Sequence, residues 1–291
     1  MPNTWSRRNL LKAGALALPA GTLGAATRPE SKLTHPEKDT SMPTADMPTE
    51  ASPNLDSVSD LFPTQTPELV REMVTVAHFD LNRVKELVNA RPSLARVSWD
   101  WGFGDWEDAL GAASHMGNRP IADYLISKGA RPSLFSAAML GQLEVVKAFL
   151  AAQPGAQRIR GPHSISLLAH AKAGGEPAGP VFDFLESLGD AGADTPLPLS
   201  PADSEALKGT YIFGHAANQQ IDVTVDNAQL VWTRKGSMGR PLSHLGNRLF
   251  SPWGTPAVRI QFTQEADSSV SVMTIHDPAV VLVAKRKTAA K

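Results

Sequence analysis

Between residues 66 and 195 one short motif keeps returning: paired small residues, a turn residue, then apolar side chains at helical spacing. Copies of such a unit cannot each bury an apolar face alone, so they must stack. The clearest copy runs Ala109-Leu110-Gly111-Ala112-Ala113-Ser114-His115-Met116-Gly117, then Ile121, Tyr124 and Leu125, and stops at Lys128-Gly129-Ala130. Aligning Gly141 with Gly117 puts Ala137-Ala138 before it and Val145, Val146, Phe149 and Leu150 after it. A step back to Asp80 finds Val76-Ala77 before it and Val84, Leu87 and Val88 after it. A step forward to Gly174 finds Leu167-Leu168-Ala169-His170-Ala171, then Val181, Phe184 and Leu185. Thr66-Pro67-Glu68 opens the first unit as a helix start, with Thr as cap and Pro at the first helical position.

The motif resembles the ankyrin repeat, Thr-Pro-Leu-His-x-Ala-Ala-x-x-Gly-His-x-x-Val-Val-x-x-Leu-Leu-x-x-Gly-Ala, over roughly residues 67–194. The resemblance implies two packed helices per unit, with small residues allowing close approach and glycine freeing the turn. The steps of 37, 24 and 33 residues depart from a regular period, and only Arg131-Pro132-Ser133 joins the second unit to the third. Conversely, residues 97–108 make a long finger, Val-Ser-Trp-Asp-Trp-Gly-Phe-Gly-Asp-Trp-Glu-Asp.

After Thr195-Pro196-Leu197-Pro198-Leu199 the apolar period changes from helical to alternating. Candidate strands lie at 210–213, 221–225, 230–233, 248–251, 258–262, 270–275 and 280–284, with a tight hairpin at Asp226-Asn227. Gly209-Thr210-Tyr211, that hairpin and Ile275-His276-Asp277-Pro278 resemble the small lipocalin-like β-domain appended to some bacterial serine β-lactamase-type hydrolases. That resemblance spans residues 206–287, and the catalytic part of those hydrolases is missing. The expected fold class is multidomain α and β: an α-solenoid of about four ankyrin-like helix pairs, then a small antiparallel β-barrel or sandwich. Expected domains are an export signal at 1–26, a disordered linker at 27–65, the repeats at 66–195 and the β-domain at 205–287.

Ser6-Arg7-Arg8-Asn9-Leu10-Leu11-Lys12, followed by an uncharged apolar stretch at 13–26, resembles a twin-arginine signal peptide. Arg7 and Arg8 would be the recognised pair, and the implied location is periplasmic or secreted, in a bacterium. The apolar run falls short of the ~20 residues of a spanning helix, so no membrane anchor is expected once the signal is removed. Residues 27–63 are rich in Pro, Thr, Ser, Glu and Asp and cannot bury enough surface to order themselves. The chain has no Cys, which excludes disulfides and lipid attachment through cysteine, and a net charge of -1 gives no general pull toward nucleic acid.

The finger concentrates Trp99, Asp100, Trp101, Phe103, Asp105, Trp106 and Glu107. Exposed Trp makes a good interface anchor, so Trp99, Asp100, Trp101, Phe103, Asp105 and Trp106 are the expected binding residues for another periplasmic protein. Alternatively, the indoles cap the end of the array. Of histidines 78, 115, 163 and 170, His115 and His170 sit in first helices within reach of the finger. With Asp105 and Glu107 they form an alternative enzyme site, acid-base or metal-assisted. No pair has the i, i+4 spacing of a helix-borne metal site, and no cofactor motif is present, so no metal or cofactor is expected. The β-domain is a further candidate, either for a small apolar ligand in a pocket lined by Trp232, Trp253, Phe213, Phe250 and Phe262 or for self-association into a homo-oligomer.

Overall fold

The computed structural model describes residues 60–192, 196–216, 218–264, 270–278 and 280–287. The signal at 1–26 with Arg7 and Arg8, and the linker up to residue 59, lie outside the described residues. All described residues fall in one compact unit. Among them no helix is long and apolar enough to cross a membrane.

The helices come in pairs. The first pair is α1 (Pro67–Val76) and α2 (Leu81–Ala90); the second, α3 (Ala109–His115) and α4 (Arg119–Ser127). The third is α5 (Leu134–Met139) and α6 (Leu143–Ala152); the fourth, α7 (Leu167–Ala173) and α8 (Gly179–Ser187). Side-chain caps explain most of the starts. Thr66 accepts from the Leu69 N–H ahead of Pro67, Asp80 caps α2, Asp108 caps α3, and Ser166 caps α7. Between the first two pairs the finger folds as a hairpin of β1 (Ser98–Asp100) and β2 (Trp106–Asp108), with Trp99 opposite Glu107.

A ninth helix, α9 (Pro201–Leu207), leads into eight strands: β3 (Gly209–Ile212), β4 (Gln220–Asp226), β5 (Gln229–Arg234), β6 (Arg240–Gly246), β7 (Leu249–Pro252), β8 (Arg259–Gln264), β9 (Val270–Asp277) and β10 (Val280–Arg286). Each pairs antiparallel with the next, and β10 returns to β3 to close a barrel. Closure removes the exposed edges a sheet would otherwise present. The two-residue turn from β4 to β5 uses Asn227 and Ala228, both at positive φ, as a tight hairpin requires. Alternation sends Tyr211, Trp232, Phe250 and Phe262 inward, where they fill the barrel rather than line a ligand cavity. Phe213 is half-buried beside them, and Trp253 is partly exposed.

The expected fold class is corrected by this arrangement. The described residues hold nine short helices and a closed eight-stranded barrel that takes up much of the chain, and the helices do not make an ankyrin solenoid. In such a solenoid each unit touches only its neighbours. Here α3 touches the first helices of all three other pairs, α1, α5 and α7. Gly117 shows how tightly: its φ is +68°, and a Cβ there would stand 2.0 Å from the Ala173 carbonyl oxygen of the fourth pair. The uneven 37-, 24- and 33-residue steps cannot repeat one translation, so the pairs close into a cluster instead of a row.

Candidate functional site

The site forms where the finger lies across the ends of the first helices. Three consecutive residues at its tip, Gly102, Phe103 and Gly104, have positive φ, and the Asp100 side chain accepts from the Gly102 N–H at 2.8 Å to hold the bend. Strand alternation then decides what faces where. Trp106 points out and is 62% exposed, while Glu107 points in and is fully buried. Trp99 and Trp101 pack on the core of the first two helix pairs, and the Phe103 ring lies 5.5 Å from that of Trp232, at the barrel core. Of the three indoles in the finger, Trp106 alone is exposed.

Around the buried Glu107 carboxylate three imidazoles converge. His115, the last residue of α3, brings Nε2 to 2.9 Å of Oε1. His78, just past α1, and His163 bring Nε2 to 3.5 and 3.4 Å of Oε2. The Trp101 indole N–H donates to Oε2 at 2.8 Å. One donor atom from each of His78, Glu107, His115 and His163 lies within 4.8 Å of the others. The imidazoles keep only a rim of solvent contact, with side chains 18%, 9% and 17% exposed for His78, His115 and His163.

The far sides of two of these rings are tied down. His78 Nδ1 donates to the carbonyls of Val74 and Thr75, each at 3.0 Å. His163 Nδ1 donates at 2.8 Å to the carboxylate of Asp105, which also accepts from the His163 backbone N–H at 2.9 Å. His163 and Ser164 both take left-handed backbone, unusual for residues other than glycine. That turn is held by Asp105 on one side and by the Gly254 N–H, which donates to Ser164 Oγ at 2.6 Å, on the other. Asp105 is 3% exposed and also receives Arg240 of β6, whose Nη1 lies 2.9 Å away and bonds the Trp253 carbonyl as well. Gly254 is confined by the same carboxylate: a Cβ would fall 2.4 Å from it.

Burial alone would push Glu107 up, but hydrogen bonds from His115 and His163 and the charges of His163 and His78 outweigh it and hold the carboxyl at about 2. His163 is pulled down by burial and pushed up further by its bonds to Asp105 and Glu107 and by their charges, to about 9. Asp105 follows the same pattern, with burial opposed and overcome by His163 and Arg240, so its pKa falls. Asp108 is pushed up, first by burial and then by the neighbouring Glu107 charge.

Of the residues nominated from sequence, the structure brings His115 and Glu107 together and sets Asp105 behind the cluster. It leaves His170 outside: that ring is buried against Phe135, with its centroid 6.4 Å from that of His115. His170 Nδ1 donates to the Ser166 carbonyl at 2.9 Å, and burial pushes its pKa down to about 4. His78 and His163 were not nominated, and the expectation that no metal would be involved meets a donor set suited to one. His78 carried a usable signal, because it stands two residues before Asp80 as His115 stands two before Gly117. His163 carried none, since an unusual backbone turn delivers it.

No family model matches the chain, and no curated protein matches it. Among solved structures, the crystal structure of SurE is 21% identical over 40% of this chain and 27% of that one, with a TM-score of 0.24. A likeness at that level bears on neither fold nor function.

Proposed function

We propose that this is an exported metal-binding protein in which one divalent ion of the zinc class is held by His78, Glu107, His115 and His163. The carrying observation concerns protons. Nδ1 of His78 and of His163 already donates elsewhere, so in a neutral ring Nε2 presents a lone pair. Without an ion, His163 Nε2 carries a proton toward Glu107; a cation at the common point displaces that proton and takes the imidazole lone pairs and the carboxylate oxygen together. Two of the donor separations, 3.4 and 3.5 Å, match the ~3.4 Å edge of a tetrahedron with ~2.1 Å arms, and all four donor atoms lie within 4.8 Å of one another, so the rings have to close in slightly on an ion. Tethered rings with a carboxylate behind one of them are the supporting shell metal-binding histidines use.

Four protein donors fill a tetrahedral shell, the arrangement of an ion that fastens a fold. The donors come from the first two helix pairs, the finger and the turn before α7, so one ion would clamp all four. This reading gives the protein a non-enzymatic role and stands ahead of the partner-binding finger, because only Trp106 among the finger's indoles is free for a partner. Export is proposed on the Ser6–Lys12 motif, and the ion would then be held in the periplasm or outside the cell. Titration with cobalt(II) tests the site: a visible tetrahedral spectrum saturating at one equivalent is expected, lost in His115→Ala. No visible band, or an unchanged spectrum in that variant, would count against it.

A further inference from the structure

The barrel and the helical part have separate apolar cores. From the helical part, Phe103 at the finger tip packs on the barrel core beside Trp232. Elsewhere the junction is loosely filled. A cavity of about 440 Å³ lies in it, with the turn at His163–Ser166 on one side and Ser243, Ser251 and Trp253 on the other. Polar contacts tie the two sides across it. Arg240 of β6 meets Asp105, and the Gly254 N–H just past β7 donates to Ser164 Oγ. Phe103 and Asp105 stand four and two residues before Glu107, and Ser164 follows His163. The segments that reach the barrel are therefore segments that carry ion donors.

His163 and Ser164 supply the moving part. Successive left-handed residues, at φ +57° and +60°, are costly for side chains other than glycine, and a right-handed turn is open to both. The left-handed turn lasts while its ties outweigh that cost. Asp105 and Gly254 provide two ties, and an ion on His163 Nε2 adds another that exists in the left-handed state alone, since that backbone delivers the ring. A ligand that binds one of two states shifts the balance toward it. We infer that the ion is a signal as well as a clamp: binding at His163 locks the turn, and the locked turn docks the barrel on the helical part. Loss of the ion frees the turn, withdraws Ser164 from Gly254 and widens the cavity. This rests on the ion-site reading above and makes the protein a metal-responsive switch, acting on a barrel that holds none of the four donors.

Amide hydrogen exchange at Gly254, followed by NMR in the full chain, reads the bond that the switch makes. Ile221, buried in β4, is the reference for stabilisation of the whole fold. Zinc at about a hundred times its Kd should slow exchange at Gly254 roughly tenfold more than at Ile221, relative to EDTA-treated protein, since opening then has to release the ion. Ser164→Gly accepts the left-handed backbone and removes the Oγ. That variant should still take up one equivalent of zinc, while Gly254 exchanges at a rate zinc does not change. One zinc bound to the wild type with Gly254 unaffected, or slowed no more than Ile221, would overturn the switch and leave the ion site standing. Zinc-dependent protection of Gly254 that persists in Ser164→Gly would overturn it as well. Absence of bound zinc would remove the ion site and the switch together, and the wild-type comparison decides the matter should the variant not fold.

Discussion

Replacing Glu107 with glutamine is expected to cost more zinc affinity than the ~10–100-fold typical of losing an outer-shell partner, because Glu107 is itself a donor to the ion. Glutamine keeps the volume of the buried side chain, and its carbonyl can still accept from the Trp101 indole. What it loses is the negative charge on which three imidazoles converge. The variant should therefore fold yet bind zinc weakly, and a competition titration against a chelator of known affinity measures the change. Wild-type affinity in Glu107→Gln would show that the carboxylate serves only as an ion-pair partner for the histidines. The companion variant Trp101→Phe, which leaves the carboxylate in place, should change affinity far less.

Asp105→Asn should have the largest effect on stability. The Asp105 carboxylate holds the His163 turn through two hydrogen bonds and forms an ion pair with Arg240, whose side chain is 4% exposed. Removing one member of a buried pair leaves the other charged and uncompensated, at ~3–5 kcal/mol. For a unit of this size that corresponds to a fall in the thermal midpoint of roughly 6–20 °C. If uncompensated charge is the cause, adding Arg240→Met should recover most of the loss, since an apolar side chain needs no partner. Zinc affinity should stay ~10–100-fold down in the double variant, because His163 has still lost the group that orients it. Recovery of affinity together with stability would mean that Asp105 acts on the fold alone. Thermal unfolding of the EDTA-treated protein and zinc titration separate the two outcomes.

These effects meet at a place the sequence disclosed unevenly. Local signals were readable where local physics decides. Thr66-Pro67 begins a helix, Asp80 and Ser166 cap others, and alternation revealed seven of the eight barrel strands. The eighth, Arg240–Gly246, was hidden by Pro241 and by its lack of β-branched residues, and it is held by pairing with both neighbours. The resemblance to ankyrin repeats rested on spacing within each unit, and that spacing does not say how units meet. Gly117 was legible as a turn glycine, but its contact with Ala173 in the fourth pair, which helps close the helices into a cluster, depends on tertiary approach.

The site divides the same way. Glu107 and His115 could be paired from sequence because Glu107 sits next to Asp108, the cap of the helix that ends at His115. His170 looked equivalent by lying in a first helix, yet it comes two residues earlier in the repeat register than His115 and so leaves the cluster. The finger looked like a binding face by composition, whereas alternation buries Glu107, and the bend at 102–104 takes Phe103 to the barrel. Aromatic content alone does not distinguish a surface anchor from a plug.

The most direct test is elemental. Full-length protein is dialysed against excess zinc and then against metal-free buffer, and bound metal is counted by mass spectrometry beside the double variant His78→Ala, His115→Ala. A structural site of this donor set binds tightly enough to survive that treatment. The expected result is about one zinc per wild-type chain and under about 0.1 in the variant, two of its four donors being gone. Less than about 0.1 zinc in the wild type, or equal zinc in both proteins, would contradict the assignment of His78, Glu107, His115 and His163 as a metal centre.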